Sequence, residues 1–335
     1  MARLNRLVCP GMFAAMNRCW KFLFVSVLPC GLLFGGIASG QNPVPASTAQ
    51  AIVGGEAESG FDAVASLIGS TGATSTWQCT AMLVSPKVAI TAAHCVMDQD
   101  GTVATSIQLL FGPSNADLFE SATVTAIHPH PDYVGFTNND IAVVVLASAV
   151  DVVPMAWRWW PIGDSWVSQQ DMFAVGFGVT GDNSNDSGVK RSVSIPLYNL
   201  STTSVLTDIG TTGTCYGDSG GPIFHWEGDR WVSWGVASWA VGGCTGLGTH
   251  TRVDAYADWI VEIIADAEGT DDMCAAAQMY EDGVCDEICD ALDPDCVDAS
   301  GCTCSATDQK ARHRWFAAAF VLSLLLYFRR TDLRF

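Results

Sequence analysis

Hydrophobic and polar residues change places over short distances through most of the middle of this chain. From Ile52 to about Ala265, runs rich in valine, isoleucine, phenylalanine and tryptophan are separated by clusters of Gly, Asn, Asp and Ser. AMLVS, VAITAA, SIQLLF, ATVTAI, IAVVVL, MFAVGFG, RWVSWGVASW and HTRV each suit a strand. Many short strands and few helical stretches predict an all-β sandwich or a pair of barrels. One helix is predicted over Asp254 to Ala267, where Tyr256, Ile260, Ile263, Ile264 and Ala267 fall at i, i+4, i+7, i+8 and i+11.

The pattern breaks at both ends. Arg3, Arg6, Arg18 and Lys21 precede FLFVSVLPCGLLFGGIASG, an apolar run ending in small residues. That order predicts a secretory signal over 1–40 with a cut after Gly40, the alternative being an uncleaved N-terminal anchor. Residues 41–51, QNPVPASTAQA, suit a short pro-segment or linker. At the other end, Trp315 to Phe328 is an apolar run bracketed by basic residues. It is short for a bilayer span, which needs roughly 17–25 residues. Residues 301–335 resemble the MYXO-CTERM sorting tags of myxobacteria and their relatives: Gly301, Cys302 and Cys304, an apolar stretch, then Arg329 and Arg330. The resemblance implies sorting machinery that cuts near the cysteines and displays or releases the protein at the cell surface. An ordinary C-terminal anchor is the other reading. Either way the bulk of the chain is expected outside the cytoplasm, with its cysteines oxidised.

Charge narrows the functions further. A formal net charge of −19 and a pI near 4.4 exclude a nucleic-acid binder, because there is no basic face to neutralise phosphates. Much of the acidity lies in 266–300, which holds Cys274, Cys285, Cys289 and Cys296 but no Lys or Arg. Four cysteines in so short an exported stretch predict two disulfides in a small module. EDGVCDEICDALDPDC resembles small Cys/Asp-rich calcium-binding repeats, and clustered carboxylates are suitable ligands for Ca²⁺. A solvated acidic stalk is the competing reading.

Three segments carry chemistry: TAAHC (Thr91 to Cys95), NNDIAVV (Asn138 to Val144) and CYGDSGGP (Cys215 to Pro222). A serine hydroxyl attacks well only when a base takes its proton. A histidine is such a base near neutral pH, and a buried carboxylate fixes its tautomer. His94, Asp140 and Ser219 supply those three groups, in that order. Upstream, Ile52 to Gly55 reads IVGG, the form of a new N-terminus, although the residue before it is Ala51 rather than a lysine or arginine.

Together these motifs make residues 52–265 resemble the trypsin/chymotrypsin-type serine proteases. The resemblance implies two packed six-stranded antiparallel β-barrels with a C-terminal helix, a monomeric enzyme acting on protein or peptide substrates, and no cofactor. It assigns Ser219 as nucleophile, His94 as general base and Asp140 as its orienting partner. The N–H groups of Gly217 and Ser219 would form the oxyanion hole, and the freed amine of Ile52 would pair with Asp218. Disulfides Cys79–Cys95 and Cys215–Cys244 are implied as well. The family's pocket floor falls on Gly213, where an aspartate would be needed to hold a basic side chain. The walls fall on Ser238, Trp239, Ala240 and Gly248, or, in a second register, on Ser233, Trp234 and Gly235. These residues imply cleavage after small or medium apolar side chains, with Ala240 narrowing the pocket where the family usually has glycine. The rival reading is a non-catalytic adhesin or binding module on the same fold.

Overall fold

The computed structural model describes residues 52–280, except 73, 74, 99, 137, 164–169, 209, 211 and 229, together with 289 and 293–296. The predicted signal, the pro-segment, the C-terminal tag and most of the acidic segment lie outside the described residues.

Thirteen strands are described. β2 (Val64–Thr71), β3 (Ser75–Ser85), β4 (Val88–Thr91), β5 (Ser106–Phe111), β6 (Glu120–Pro129) and β7 (Ala142–Leu146) close into one barrel in the order β2-β3-β4-β7-β6-β5. The second barrel uses β8 (Asp171–Gly176), β9 (Arg191–Leu200), β10 (Ser204–Asp208), β11 (Pro222–Glu227), β12 (Arg230–Val241) and β13 (Leu247–Arg252). Its order is β9-β10-β13-β12-β11-β8, closed by pairing of β8 with β9, and the short β1 (Glu56–Ala57) adds to β9. The strand pairs are antiparallel, so the two-barrel expectation holds.

Alternation explains why these strands curl into barrels. In β5, Ile107, Leu109 and Phe111 are buried while Ser106 and Gln108 face out. In β9, Val193, Ile195 and Leu197 point inward between exposed Ser194, Pro196 and Tyr198. Closure removes the unpaired edges that such strands would otherwise expose.

The helix runs from Ala257 to Glu268 (α1), shorter than its pattern, because Asp254–Tyr256 form a 3-10 turn ahead of it. Asp254 is held there by Arg252 and by the Ile162 N–H. Gly269, in the left-handed region at φ 73°, stops the helix and donates to Ala265 O. Although α1 follows the second barrel, it buries Ile260 and Ile264 in the cluster formed largely by the first. Glu268 fastens its end by accepting from Ser85 Oγ at 2.7 Å and Lys87 N at 2.8 Å.

In the described part of the acidic segment, apolar residues are packed while Asp266 and Asp271 stay exposed. Asp272 caps α2 (Met273–Ala276) by accepting from the Cys274 and Ala275 N–H groups. Cys274, Ala277 and Met279 are buried and contact Trp159. Cys274 is bonded to Cys289, and Cys296 is also in a disulfide.

Candidate active site

β4 ends at Thr91, and the chain turns through Ala93–Cys95, which carries His94. The Cys79–Cys95 disulfide ties this turn to β3. The GDSGG segment, between β10 and β11 of the other barrel, meets it through main-chain contacts. Thr80 N donates to Ser219 O at 2.8 Å, and Thr80 Oγ1 donates to Gly217 O at 2.9 Å. Gly220, at φ 82°, lies where a Cβ would be 2.1 Å from Thr91 Oγ1 and 2.2 Å from Thr80 O. Only glycine permits that approach. Gly220→Ala should therefore destabilise the domain by roughly 2–5 kcal/mol, left-handed strain and overpacking acting together. Urea unfolding measures this, and a loss well under 1 kcal/mol would show that the two loops separate freely.

Asp140 is fully buried. It follows Asn139, which is in the left-handed region at φ 54° and accepts from Tyr256 OH at 2.8 Å. The carboxylate receives three donors. His94 Nδ1 lies 2.8 Å from Oδ2, the His94 main-chain N–H donates to Oδ1 at 3.0 Å, and Ser238 Oγ donates to Oδ2. Thr251 Oγ1 fixes the Asp140 carbonyl at 2.9 Å. Against a carboxylate, Nδ1 carries the imidazole proton, leaving Nε2 as the acceptor. His94 and Ser219 both line one cavity of about 400 Å³.

That cavity is also lined by Thr214, Cys215, Tyr216, Trp239, Ala240 and Phe136, whose ring centroid is 4.9 Å from that of His94. Among the described residues, no Asp, Glu, Lys or Arg lines it. Of the two candidate wall registers, Ser238, Trp239 and Ala240 face this cavity. Ser233 instead bonds Gly235 O, and Trp234 is buried in the second barrel's core. Gly213, the expected floor, and Gly248 are not among the lining residues: Gly213 pairs with Val53, and Gly248 is Ala240's neighbour across the β12–β13 ladder. His250 is absent from the lining. It is fully buried with Nε2 2.9 Å from Thr207 Oγ1, and burial lowers its pKa to about 4.

Cys215–Cys244 clamps the serine segment to the end of β12, and this bond and Cys79–Cys95 each contribute on the order of 2–4 kcal/mol. Gly217 takes φ 96°, and a Cβ there would lie 3.0 Å from Gly178 Cα. Among the described residues, the Gly217 and Ser219 N–H groups have no acceptor in the protein.

Asp218 points away from the cavity and is 1 % exposed. Gly178 N donates to Oδ1 at 2.7 Å and Cys215 N to Oδ2 at 2.8 Å. Gly176 and Gly178 make room for it, since a Cβ at either would lie within 2.6 Å of its carboxyl oxygens. Burial raises the carboxyl to about 7, against the pull of those two N–H groups and of the Arg191 charge. Ile52 is fully buried in the second barrel's core, and no hydrogen bond joins it to Asp218 among the described residues.

The sign of the resulting pH dependence follows directly. The folded chain, still joined ahead of Ile52, keeps the Asp218 proton up to about pH 7, whereas the unfolded chain releases it near 4. Stability should therefore fall by about 4 kcal/mol as pH rises through that window, then level off. Asp218→Asn should abolish this fall, read as the difference in urea midpoints between pH 4 and 8. His250 acts in the opposite direction over a similar range, so the comparison with the parent isolates Asp218. Identical slopes in both proteins would overturn the assignment.

Two clusters of potential metal ligands occur among the described residues, Cys79–His94–Cys95 and Asp182–Cys215–Cys244. Their cysteines are tied up in disulfides and cannot act as thiolates. The predicted Ca²⁺ ligands lie mostly outside the described residues. No helix among the described residues is long and apolar enough to cross a membrane.

The roles of Thr80, Gly176, Gly178 and Gly220 arise from contacts between segments distant in sequence, which no local pattern shows. A family model described as Trypsin matches residues 52–260. The chain is 31% identical over 211 residues to Trypsin II-P29 of Gallus gallus, covering 56% of this chain and 79% of that one. It is 29% identical over 221 residues to the fibrinolytic enzyme, isozyme C, of Lumbricus rubellus (54% and 86%). Against Trypsin-1 of Astacus astacus it is 26% identical over 211 residues (54% and 86%). With two closed barrels, a serine, a histidine and a buried aspartate meeting at their junction, and this match, the chain belongs to the trypsin family of serine endopeptidases.

Proposed function

We propose that this is an exported endopeptidase that cleaves proteins or peptides after small or medium apolar residues, through an acyl-enzyme on Ser219. The observation that carries the proposal is the His94–Asp140 pair, opening together with Ser219 onto a cavity without charged walls.

In this reading Ser219 Oγ attacks the substrate carbonyl as its proton passes to His94 Nε2. Asp140 steadies the imidazolium through Nδ1–H, and the Gly217 and Ser219 N–H groups receive the oxyanion. The imidazolium protonates the leaving amine. Water then repeats the sequence on the acyl-enzyme and frees the acid. A lysine or arginine side chain entering the cavity would lose its hydration without gaining a counter-charge. Ala240, paired with Gly248, narrows the wall and favours smaller side chains.

The freed amine of Ile52 would give buried Asp218 a positive partner. Ala51 fits an activating enzyme of similar apolar preference, or the protein itself, better than a trypsin-like activator. Residues 1–40 would direct export, and 301–335 would direct sorting to the cell surface.

A fluorophosphonate probe together with a peptide library tests the proposal. Labelling that disappears in Ser219→Ala, with cleavage after Ala, Val or Leu, is expected. Absence of labelling in the mature protein would favour the non-catalytic binding module, and dominant cleavage after Arg or Lys would overturn the pocket assignment.

A further inference from the structure

We propose that Arg191 is a positioning residue that holds the oxyanion loop in place while Ile52 is still joined to Ala51, giving the uncut chain activity of its own. This rests on the serine-endopeptidase reading above.

Arg191 opens β9 and pairs across the sheet with Gly176, the glycine that makes room for Asp218. Its side chain is 8 % exposed. Nη1 donates to Gly178 O at 3.0 Å, to Asp186 O at 3.0 Å and to Val189 O at 3.4 Å, while Nη2 lies 3.4 Å from Asp186 Oδ2. The loop between β8 and β9 thus folds around the guanidinium.

Gly178 transmits the effect. Its carbonyl is held by Arg191, and the N–H of the same peptide, on Val179, donates to Tyr216 O at 2.9 Å. The Gly178 N–H itself donates to Asp218 Oδ1, and its Cα lies against Gly217. One hydrogen-bonded route therefore runs from the buried cation through the Gly178–Val179 peptide to Tyr216, and the neighbouring peptide holds Asp218 through the Gly178 N–H. Hydrogen bonds in series polarise one another, and those to a charged donor are the stronger ones.

The charge balance points the same way. Asp186, the acid in contact with Arg191, has a side chain 41 % exposed, so solvent screens much of its charge. Arg191 Nε is buried without an acceptor. Burying a cation beside so weak a partner is a poor way to brace a surface loop. Asp218 accounts for its presence, being a buried acid that feels the Arg191 field from the next strand. Once Ile52 is free, its amine supplies a nearer charge and Arg191 becomes less important.

The test uses the full chain with cleavage blocked by Ala51→Asp, retention of the upstream residues being checked by mass spectrometry. Fluorophosphonate labelling and kcat on a small ester substrate are read in this form and in the cut enzyme. Measurable activity is expected in the uncut chain. Arg191→Met should lower its kcat about 10- to 100-fold with little change in KM, and Arg191→Lys should restore part of it. In the cut enzyme the same substitution should cost less than about threefold. Asp186→Asn leaves the main-chain acceptors of Arg191 in place and can still accept the Thr180 N–H through its one amide oxygen, losing only the 3.4 Å contact to Nη2 and the screened charge, so it should lower uncut activity less than about threefold. It therefore serves as the reading if Arg191→Met fails to fold. A silent uncut chain beside an active cut enzyme would overturn the proposal and leave the endopeptidase reading standing. So would equal losses in both forms, or a loss in Asp186→Asn matching that in Arg191→Met. If neither form reacts, both readings fail.

Discussion

Ser219→Ala should lower kcat by about 10⁶-fold while leaving the fold intact. The loss is large because the proposed acyl-enzyme forms on this hydroxyl; of the other hydroxyls lining the cavity, on Thr214, Tyr216 and Ser238, that of Ser238 already donates to Asp140. The fold should survive because Ser219 does its structural work through its main chain, whose carbonyl accepts from Thr80 N. Adding His94→Ala to Ser219→Ala should cost almost nothing more, since base and nucleophile act as one unit. Ester hydrolysis and thermal melting check the two halves of this expectation. A double variant whose losses multiply would show that the two residues act independently.

Asp140→Asn should lower kcat by about 10⁴-fold with KM within a fewfold of the parent. Both carboxylate oxygens are used as acceptors, one by the His94 main-chain N–H and one by His94 Nδ1 together with Ser238 Oγ. An amide offers a single oxygen. Turned toward the main-chain N–H, it presents its NH₂ to Nδ1, which moves the imidazole proton to Nε2 and removes the base facing Ser219. Turned the other way, the NH₂ opposes a backbone donor. Either orientation costs, and the first gives a well-folded but slow enzyme. Steady-state kinetics near pH 8 decides, and a loss under 100-fold would mean that Asp140 does not set the tautomer.

How much of this was open to a reader of the sequence depends on whether a residue's role is local. His94, Asp140 and Ser219 each sit in a short distinctive string; His94 and Ser219 line one cavity, and Asp140 is hydrogen-bonded to His94 Nδ1. Strands such as β5 and β12 are visible from composition and alternation. β9 is harder to see, because its inward Val193, Ile195 and Leu197 are diluted by serines, a proline and an asparagine. Thr80 could not be singled out: a threonine in mid-strand looks ordinary until a loop from the other barrel hydrogen-bonds to both ends of it. The helix begins later than its apolar spacing suggests because Asp254 is claimed by Arg252 and Ile162. The acidic segment is legible only in part: its charge predicts a stalk, and the few small apolar residues around Cys274 that pack its described part form no pattern of their own.

The helix α1 also bears on when the site can exist. Its Ile260 and Ile264 complete a core built mainly by strands that leave the ribosome well over a hundred residues earlier. A chain emerging N-terminus first therefore holds the histidine-bearing barrel unfinished until nearly the whole domain has appeared. During synthesis, the histidine half of the site waits for the last helix, and a shortened chain ending before Trp259 would lack both the buried isoleucines and the Glu268 fastening. The order of the elements is in this sense a timer, delaying a hydrolytic site until its domain is almost complete.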